Sequence, residues 1–240
     1  MTGDLREIWV YLSASPLLGL TVTLAAYQAG YWLYRKSGLN PLFNPVLIAV
    51  VALVALLKLT NTDYGVYFEG AQFVHFLLGP ATVALAVPLF QQLQQVRRSL
   101  LAVLAAVVAG SATAALSAVA IAWALGASRE TILSLAPKSV TTPIAMGIAE
   151  QIGGLPSLTA VLVILTGMTG AMLATATLNL VRVKDWRARG LAVGVASHGI
   201  GTARAIAVHP VAGAFAGLAM GLNGVATAVL LPVLATWLGA

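Results

Sequence analysis

The stretch LLAVLAAVVAGSATAALSAVAIAWAL, Leu100 to Leu125, runs for 26 residues without one charge. A helix needs about 20 apolar residues to cross the ~30 Å hydrocarbon core of a bilayer. A helix at a protein surface keeps a polar face, whereas one that is apolar all round is buried or spans a membrane. This run reads as a transmembrane helix, and it sets the solvent for everything around it. In lipid every backbone N–H and C=O must be satisfied within the protein, so the neighbouring apolar runs must also be helical wherever they meet lipid.

The composition of the 240-residue chain agrees: 60% is apolar and 8% charged, with 13 Lys+Arg against 7 Asp+Glu. A soluble domain carries about 25% charged residues, and so few charges cannot cover a solvated surface. The absence of cysteine excludes a disulfide scaffold and any cysteine-ligated zinc or iron–sulfur site. The net charge of +6 does not point to nucleic acid. Its basic residues close apolar runs, where the positive-inside bias puts them, and form no stripe on one face.

Working outward, the apolar elements are Ile8 to Tyr34, Pro45 to Leu57, Ala71 to Phe90, Leu100 to Leu125, Thr131 to Ile152, Leu158 to Leu180, Leu191 to Val208 and Val211 to Leu238. The expected fold is therefore an all-α, polytopic membrane helix bundle of about eight apolar elements, a single transmembrane domain over 1–240. The first run far exceeds the 7–15 residues of a signal-peptide core and reads as a span. The charge bias groups Arg35/Lys36, Arg97/Arg98 and the Arg182–Arg189 cluster on the cytoplasmic side, with the N-terminus outside. Three elements lie between Arg98 and Arg182, so one must re-enter without crossing. Thr131 to Ile152, with Pro137, Lys138 and Pro143, is the expected one.

Self-similarity suggests a two-fold internal repeat with halves 1–127 and 128–240, parallel or inverted. Gly79-Pro80-Ala81-Thr82 and Gly199-Ile200-Gly201-Thr202 lie 120 residues apart. Pro41 with Val46-Leu47-Ile48 matches Pro156 with Val161-Leu162-Val163 at 115. Interrupted segments at corresponding places in two halves point to a transporter's midplane site.

The charges inside the apolar elements are Lys138, Glu150 and Arg204. A charge at a helix centre costs about 2.5–3.5 kcal/mol on insertion scales, and such residues usually carry function. Lys138 sits in Ala136-Pro-Lys-Ser-Val-Thr-Thr-Pro143. The two prolines disfavour helix before them, so a broken stretch with a helix starting near Pro143 is expected. Free amides at that helix start, Lys138, and the hydroxyls of Ser139, Thr141 and Thr142 would attract an anion. Arg204 sits in Ala196-Ser-His-Gly-Ile-Gly-Thr-Ala-Arg204. There Gly199 and Gly201 permit unusual backbone, His198 can hold an anion or a proton, and Arg204 offers a fork suited to a carboxylate. Ser197 and Thr202 add hydroxyls. Ser197-His198 alone could suggest a hydrolase, but no Gly-x-Ser-x-Gly elbow or intramembrane Asp accompanies them, so no enzyme is expected. Glu150, Thr82 and Asn223 are accessory candidates. Gly213, Gly217 and Gly221 recur every four residues and would let a helix approach closely.

Ala136-Pro-Lys-Ser-Val-Thr-Thr-Pro-Ile144, Glu150-Gln-Ile-Gly-Gly154, Ala196-Ser-His-Gly-Ile-Gly-Thr-Ala-Arg204 and Gly217-Leu-Ala-Met-Gly-Leu-Asn-Gly224 resemble the signature segments of the LrgB/CidB family. Leu78-Gly-Pro-Ala-Thr-Val-Ala-Leu-Ala-Val-Pro-Leu89 resembles a further one. The resemblance implies a bacterial inner-membrane, multi-pass protein of the single-component form. It also implies two functional directions. Members of the family were named as antiholin-like modulators of murein hydrolase activity and autolysis, beside a holin-like LrgA/CidA partner. Relatives are implicated in pyruvate movement, and a plastid relative is a glycolate/glycerate translocator. The expectation from the polar inventory is a small monocarboxylate docked between Lys138 and Arg204, with no cofactor and no metal. A homo-oligomer in the lipid bilayer is expected, with no nucleic-acid partner.

Overall fold

The computed structural model describes residues 16–38, 40, 43–77, 80, 83–84 and 86–237. These are helical, with no strand among the described residues. Contacts group the chain into two units, 1–84 and 85–240.

The first unit holds α1 (Pro16–Lys36), α2 (Pro45–Thr60) and α3 (Tyr64–Phe76). Asn44 starts α2 by accepting the amides of Val46 and Leu47, and Asn61 closes it in the left-handed conformation. Helix α1 packs on both α2 and α3 through glycines: a Cβ on Gly30 would lie 2.8 Å from the Pro45 carbonyl oxygen. Thr23 and the Tyr67 hydroxyl bond at 2.7 Å.

The second unit begins with α4 (Ala86–Gln91) and α5 (Leu93–Arg98), and continues through α6 (Leu100–Ala124), α7 (Arg129–Leu135), α8 (Thr142–Ile152), α9 (Pro156–Leu180), α10 (Trp186–Val208) and α11 (Pro210–Trp237). Among the described residues four helices have the length and apolarity of a span: α6, α9, α10, and α11 over Pro210–Val233. The expected count of about eight apolar elements is not confirmed by the described residues. Pro45–Thr60 is a shorter apolar helix. The Ala71 to Phe90 run is not one helix, because α3 starts in the polar stretch at Tyr64, where Tyr64 stacks on Phe68 one turn later, and ends at Phe76. Thr131 to Ile152 is split into α7 and α8, neither long enough to cross.

Helix α10 has the length of a span but not the course of one. His198 interrupts it at φ 39°, ψ −132°. A straight helix of this length would hold its ends about 33 Å apart. Instead Trp186 and His209, at the two ends, stack with ring centroids 4.6 Å apart. A Cβ on Gly201 would lie 2.9 Å from Cγ1 of Val193, and Val193 and Ala205 share one buried cluster with Ala212 and Ala216. The chain therefore enters to His198 and doubles back. Each arm is ten to twelve residues, roughly 15–18 Å, or about half the thickness of a bilayer core.

The stretch from Leu135 to Thr141 and α8 form a second hairpin, with the end of α7 at its base. At its base Ser134 accepts the Leu155 amide at 2.8 Å, and a Cβ on Gly154 would meet the Ser134 amide nitrogen at 2.8 Å. Its outgoing arm is the broken stretch from Ala136 to Thr141, and its tip lies where that stretch turns into α8.

The spans give these hairpins opposite directions. Helix α9 starts at the base of the α7–α8 hairpin, where Thr159 donates to the Ser134 carbonyl. It passes the α10 tip at Gly167 and ends beside the α10 base, with Ala174 and Leu178 packed on that cluster. Helix α11 runs the other way: Ala212 and Ala216 lie against the α10 arms, and Leu231 and Ala235 pack with Val140, Ala145 and Ile148 of the α7–α8 hairpin. Helix α6 runs with α11, touching Val195 from Val103 and Val107 and then Val140 from Ala115. The two hairpins thus enter the bundle from opposite ends and point their tips at each other.

Lipid tails are as apolar as leucine, so close packing, not escape from solvent, must hold such a bundle. The seam is built accordingly. A Cβ on Gly190 or Gly194 would run into the backbone carbonyls of Ala212 and Ala216. This seam is not the Gly213/Gly217/Gly221 face expected from the sequence. Gly213 does pack tightly on Ile206, but a Cβ on Gly221 would meet open space.

Candidate functional site

The two polar clusters found in the sequence are the two hairpin tips, and they meet at the middle of α11. The amide nitrogen of Asn223 donates to the Ser139 carbonyl at 3.0 Å and to the Val195 carbonyl at 3.2 Å. Its oxygen accepts from the Ser111 hydroxyl of α6. Asn223 is 1% exposed. The breaks at 136–141 and at His198 bring these carbonyls to a point that continuous helices would not give them.

On the α7–α8 tip, the half-buried Lys138 places its ammonium 3.3 Å from the Ser139 hydroxyl and within electrostatic range of the His198 ring. Thr141 is the N-cap of α8 and Thr142 its first residue, but the Thr141 hydroxyl makes no capping bond. The first amides of a helix have no intrahelical partner, so the Thr142 and Ile144 amides, with Pro143 between them contributing none, lie at the start of α8 under a partial positive charge. This is the broken stretch and helix start that the prolines predict.

On the α10 tip the strained residue is His198, not Gly199 or Gly201; neither glycine has positive φ. A non-glycine residue in such a conformation costs on the order of 1–3 kcal/mol and persists only where its surroundings hold it. Here the ring nitrogen Nε2 bonds the Val163 carbonyl of α9 at 2.9 Å, and the Thr202 hydroxyl donates to the His198 carbonyl at 2.7 Å. Gly167 makes room for the ring: a Cβ there would lie 2.5 Å from the His198 Cε1. Gly201 serves as space too, lying against Ser197 and Val193 of the opposite arm. The Ser197 hydroxyl is buried against Gly170, with no hydrogen-bond partner among the described residues. Beyond the break the second arm opens with its N-terminus toward the tip, so two helix N-termini and Lys138 converge.

The other candidates fall elsewhere. Thr202 is fully buried and its hydroxyl serves the backbone, reaching the Ala216 carbonyl at 3.4 Å as well. Glu150 is exposed at the far end of α8, at the hairpin base. Thr82 lies outside the described residues. Arg204 is half-buried six residues past His198, about 9 Å along the arm. It lines a cavity at the α10 base with Arg189, Trp186, Val193 and Thr175, a cavity that includes no tip residue. Lys138 thus lies at the tips, and Arg204 lies six residues down the return arm, where it lines this cavity. Sequence reasoning missed Ser111, because a serine beside Gly110 in a clean span carries no signal of its partner.

Among the described residues no His/Asp/Glu group is placed to hold a metal. Nor do Ser197 and His198 form a nucleophile–base pair, since the hydroxyl faces Gly170 while the ring nitrogen is held by Val163.

The sequence profile of the LrgB-like family matches residues 23–237. The antiholin-like protein LrgB of Bacillus cereus (strain B4264) is 34% identical over 225 residues, covering 94% of this chain and 98% of the relative. The antiholin-like protein LrgB of Bacillus anthracis (strain A0248) matches with the same identity and coverage. No solved structure matches. With its profile spanning nearly all of the chain and full-length relatives at this identity, the protein belongs to the LrgB-like family.

Proposed function

We propose that this multi-pass membrane protein is a transporter of small monocarboxylates of the pyruvate, glycolate or glycerate type, acting in a bacterial inner membrane. The observation that carries this reading is the meeting of two oppositely directed hairpin tips on Asn223, beside one lysine. Discontinuous helices that aim their N-termini at a midplane point are the usual way a carrier binds an anion. The carboxylate sits against the α8 start and the second arm of α10, with Lys138 as counter-charge and Ser139, Thr141 and Thr142 near its oxygens. Arg204 meets the anion at the α10 base, on the way to the tips. Alternating access follows from the opposed entries, since opening one hairpin exposes the tips to one side only. The chain performs no covalent chemistry in this reading.

Purified protein in proteoliposomes, tested with radiolabelled pyruvate, glycolate and glycerate, checks it. Lys138→Ala is expected to lower uptake at least tenfold, and Lys138→Arg to keep part of it. Full uptake by a folded Lys138→Ala protein refutes the tip site.

The second reading is an antiholin-like regulator of murein hydrolase activity, assembled with a holin-like LrgA/CidA-type partner. The name carried by the Bacillus relatives favours it. It requires no flux by the protein alone, so absence of uptake for every carboxylate favours this reading over the first.

A further inference from the structure

Asn223 is a polar side chain buried in mid-span; both of its amide hydrogens and one lone pair of its oxygen are hydrogen-bonded. Its orientation is fixed by its neighbours. Exchanging oxygen and nitrogen would set the amide oxygen against two carbonyl oxygens and leave both without a donor. Helix packing alone does not explain this arrangement, because a leucine of similar volume would pack α11 without any polar group to satisfy. The bonds go to three elements: the α7–α8 tip at Ser139, the first arm of α10 at Val195 in the turn before the break, and α6 at Ser111.

We propose that Asn223 is a positioning residue: a single amide that sets the separation and register of the two hairpin tips, and so the convergence of their helix N-termini on the anion, without touching the anion itself. The inference rests on the transporter reading above for its consequence in uptake, but not for its geometry. The two N–H groups are separate. One hairpin can be released by breaking one bond while the other stays held, and the Ser111 hydroxyl keeps the amide turned toward both. Such a divisible clasp suits gates that open one at a time from opposite ends.

The test uses the full chain in proteoliposomes. The protein has no native cysteine, so Gly147→Cys on α8 and Ala203→Cys on α10, both exposed, give one spin-label pair, a label on each hairpin. Pulsed electron–electron resonance then reads the distance between hairpins with and without Asn223→Leu. Uptake of pyruvate, glycolate and glycerate is measured in parallel. Asn223→Leu is expected to broaden or lengthen the distance distribution and to raise KM at least tenfold, with the maximal rate changed much less. Asn223→Gln, which keeps an amide, is expected to recover part of both. A folded Asn223→Leu protein with the parent distance distribution, or with KM within twofold of the parent, overturns the proposal. Should that variant fail to fold, Ser111→Ala removes only the donor to the amide oxygen; it is expected to broaden the distribution, and an unchanged distribution overturns the proposal. If the parent itself moves none of the three carboxylates, the transport reading fails, and the distance distributions alone decide for or against the clasp.

Discussion

The hairpin in α10 yields a sharp experimental contrast. Val193 and Ala205 are twelve positions apart, and a straight helix would separate them by about 18 Å. A disulfide needs Cα atoms within about 7 Å. In the folded-back helix both side chains belong to one buried cluster, and the Val193 side chain already reaches the backbone of the return arm at Gly201. Val193→Cys/Ala205→Cys is therefore expected to form an intramolecular bond on mild oxidation in the membrane. Val103→Cys/Ala115→Cys provides the comparison, with the same spacing on the unbroken α6. After denaturation, labelling with a maleimide-linked polymer counts free thiols by gel shift, and mass spectrometry reads the loss of two hydrogens. The expected result is no free thiol in the α10 pair and two in the α6 pair, with both proteins monomeric on the gel. Two labelled thiols in the α10 pair would refute the hairpin. Without the hairpin there would be no tip at His198, no meeting with Ser139 across Asn223, and no midplane anion site.

Strain and space give two more expectations, both read as apparent Tm in detergent. His198→Gly and His198→Ala each lose the ring bond to Val163, but only glycine tolerates φ 39° cheaply, so the glycine variant should be the more stable by about 1–3 kcal/mol. Equal stability would mean that the backbone there carries no strain. Gly194→Ala pushes a methyl into the Ala216 carbonyl and should cost about 1–3 kcal/mol, whereas Gly221→Ala, facing open space, should stay within about 0.5 kcal/mol. The reverse order would restore the Gly213/Gly217/Gly221 face as the packing seam.

Much of the site was legible because expensive residues stand out against lipid. Lys138 among prolines and hydroxyls, and His198 among glycines, are costly in an apolar run, and both fall at hairpin tips. The crossing argument also singled out Thr131 to Ile152, which is split into two helices too short to cross. Less was legible where the signal depended on direction. Leu191 to Val208 has a span's composition and nearly a span's length, so no count of apolar residues reveals that it folds back. Gly199 and Gly201 drew the expectation of unusual backbone, yet His198 adopts it, because the ring can be tied to α9, while Gly201 is needed as room for the opposite arm. Arg204 and Lys138 share a type of neighbourhood in sequence but not a place in the bundle. A residue six positions past a turn lies far down its arm.

The amino-acid order by itself determined the solvent and the helical class, since lipid leaves the backbone no other choice, and it marked where helices must break, since proline and glycine act locally. Which way each broken piece turns depends on what waits to receive it. The carbonyls of Ala212 and Ala216 meet Gly190 and Gly194, the Val163 carbonyl meets His198, and one amide at Asn223 meets two interrupted strands of backbone. Those partners lie 22 to 84 positions apart along the chain, and only the tertiary structure brings them within reach.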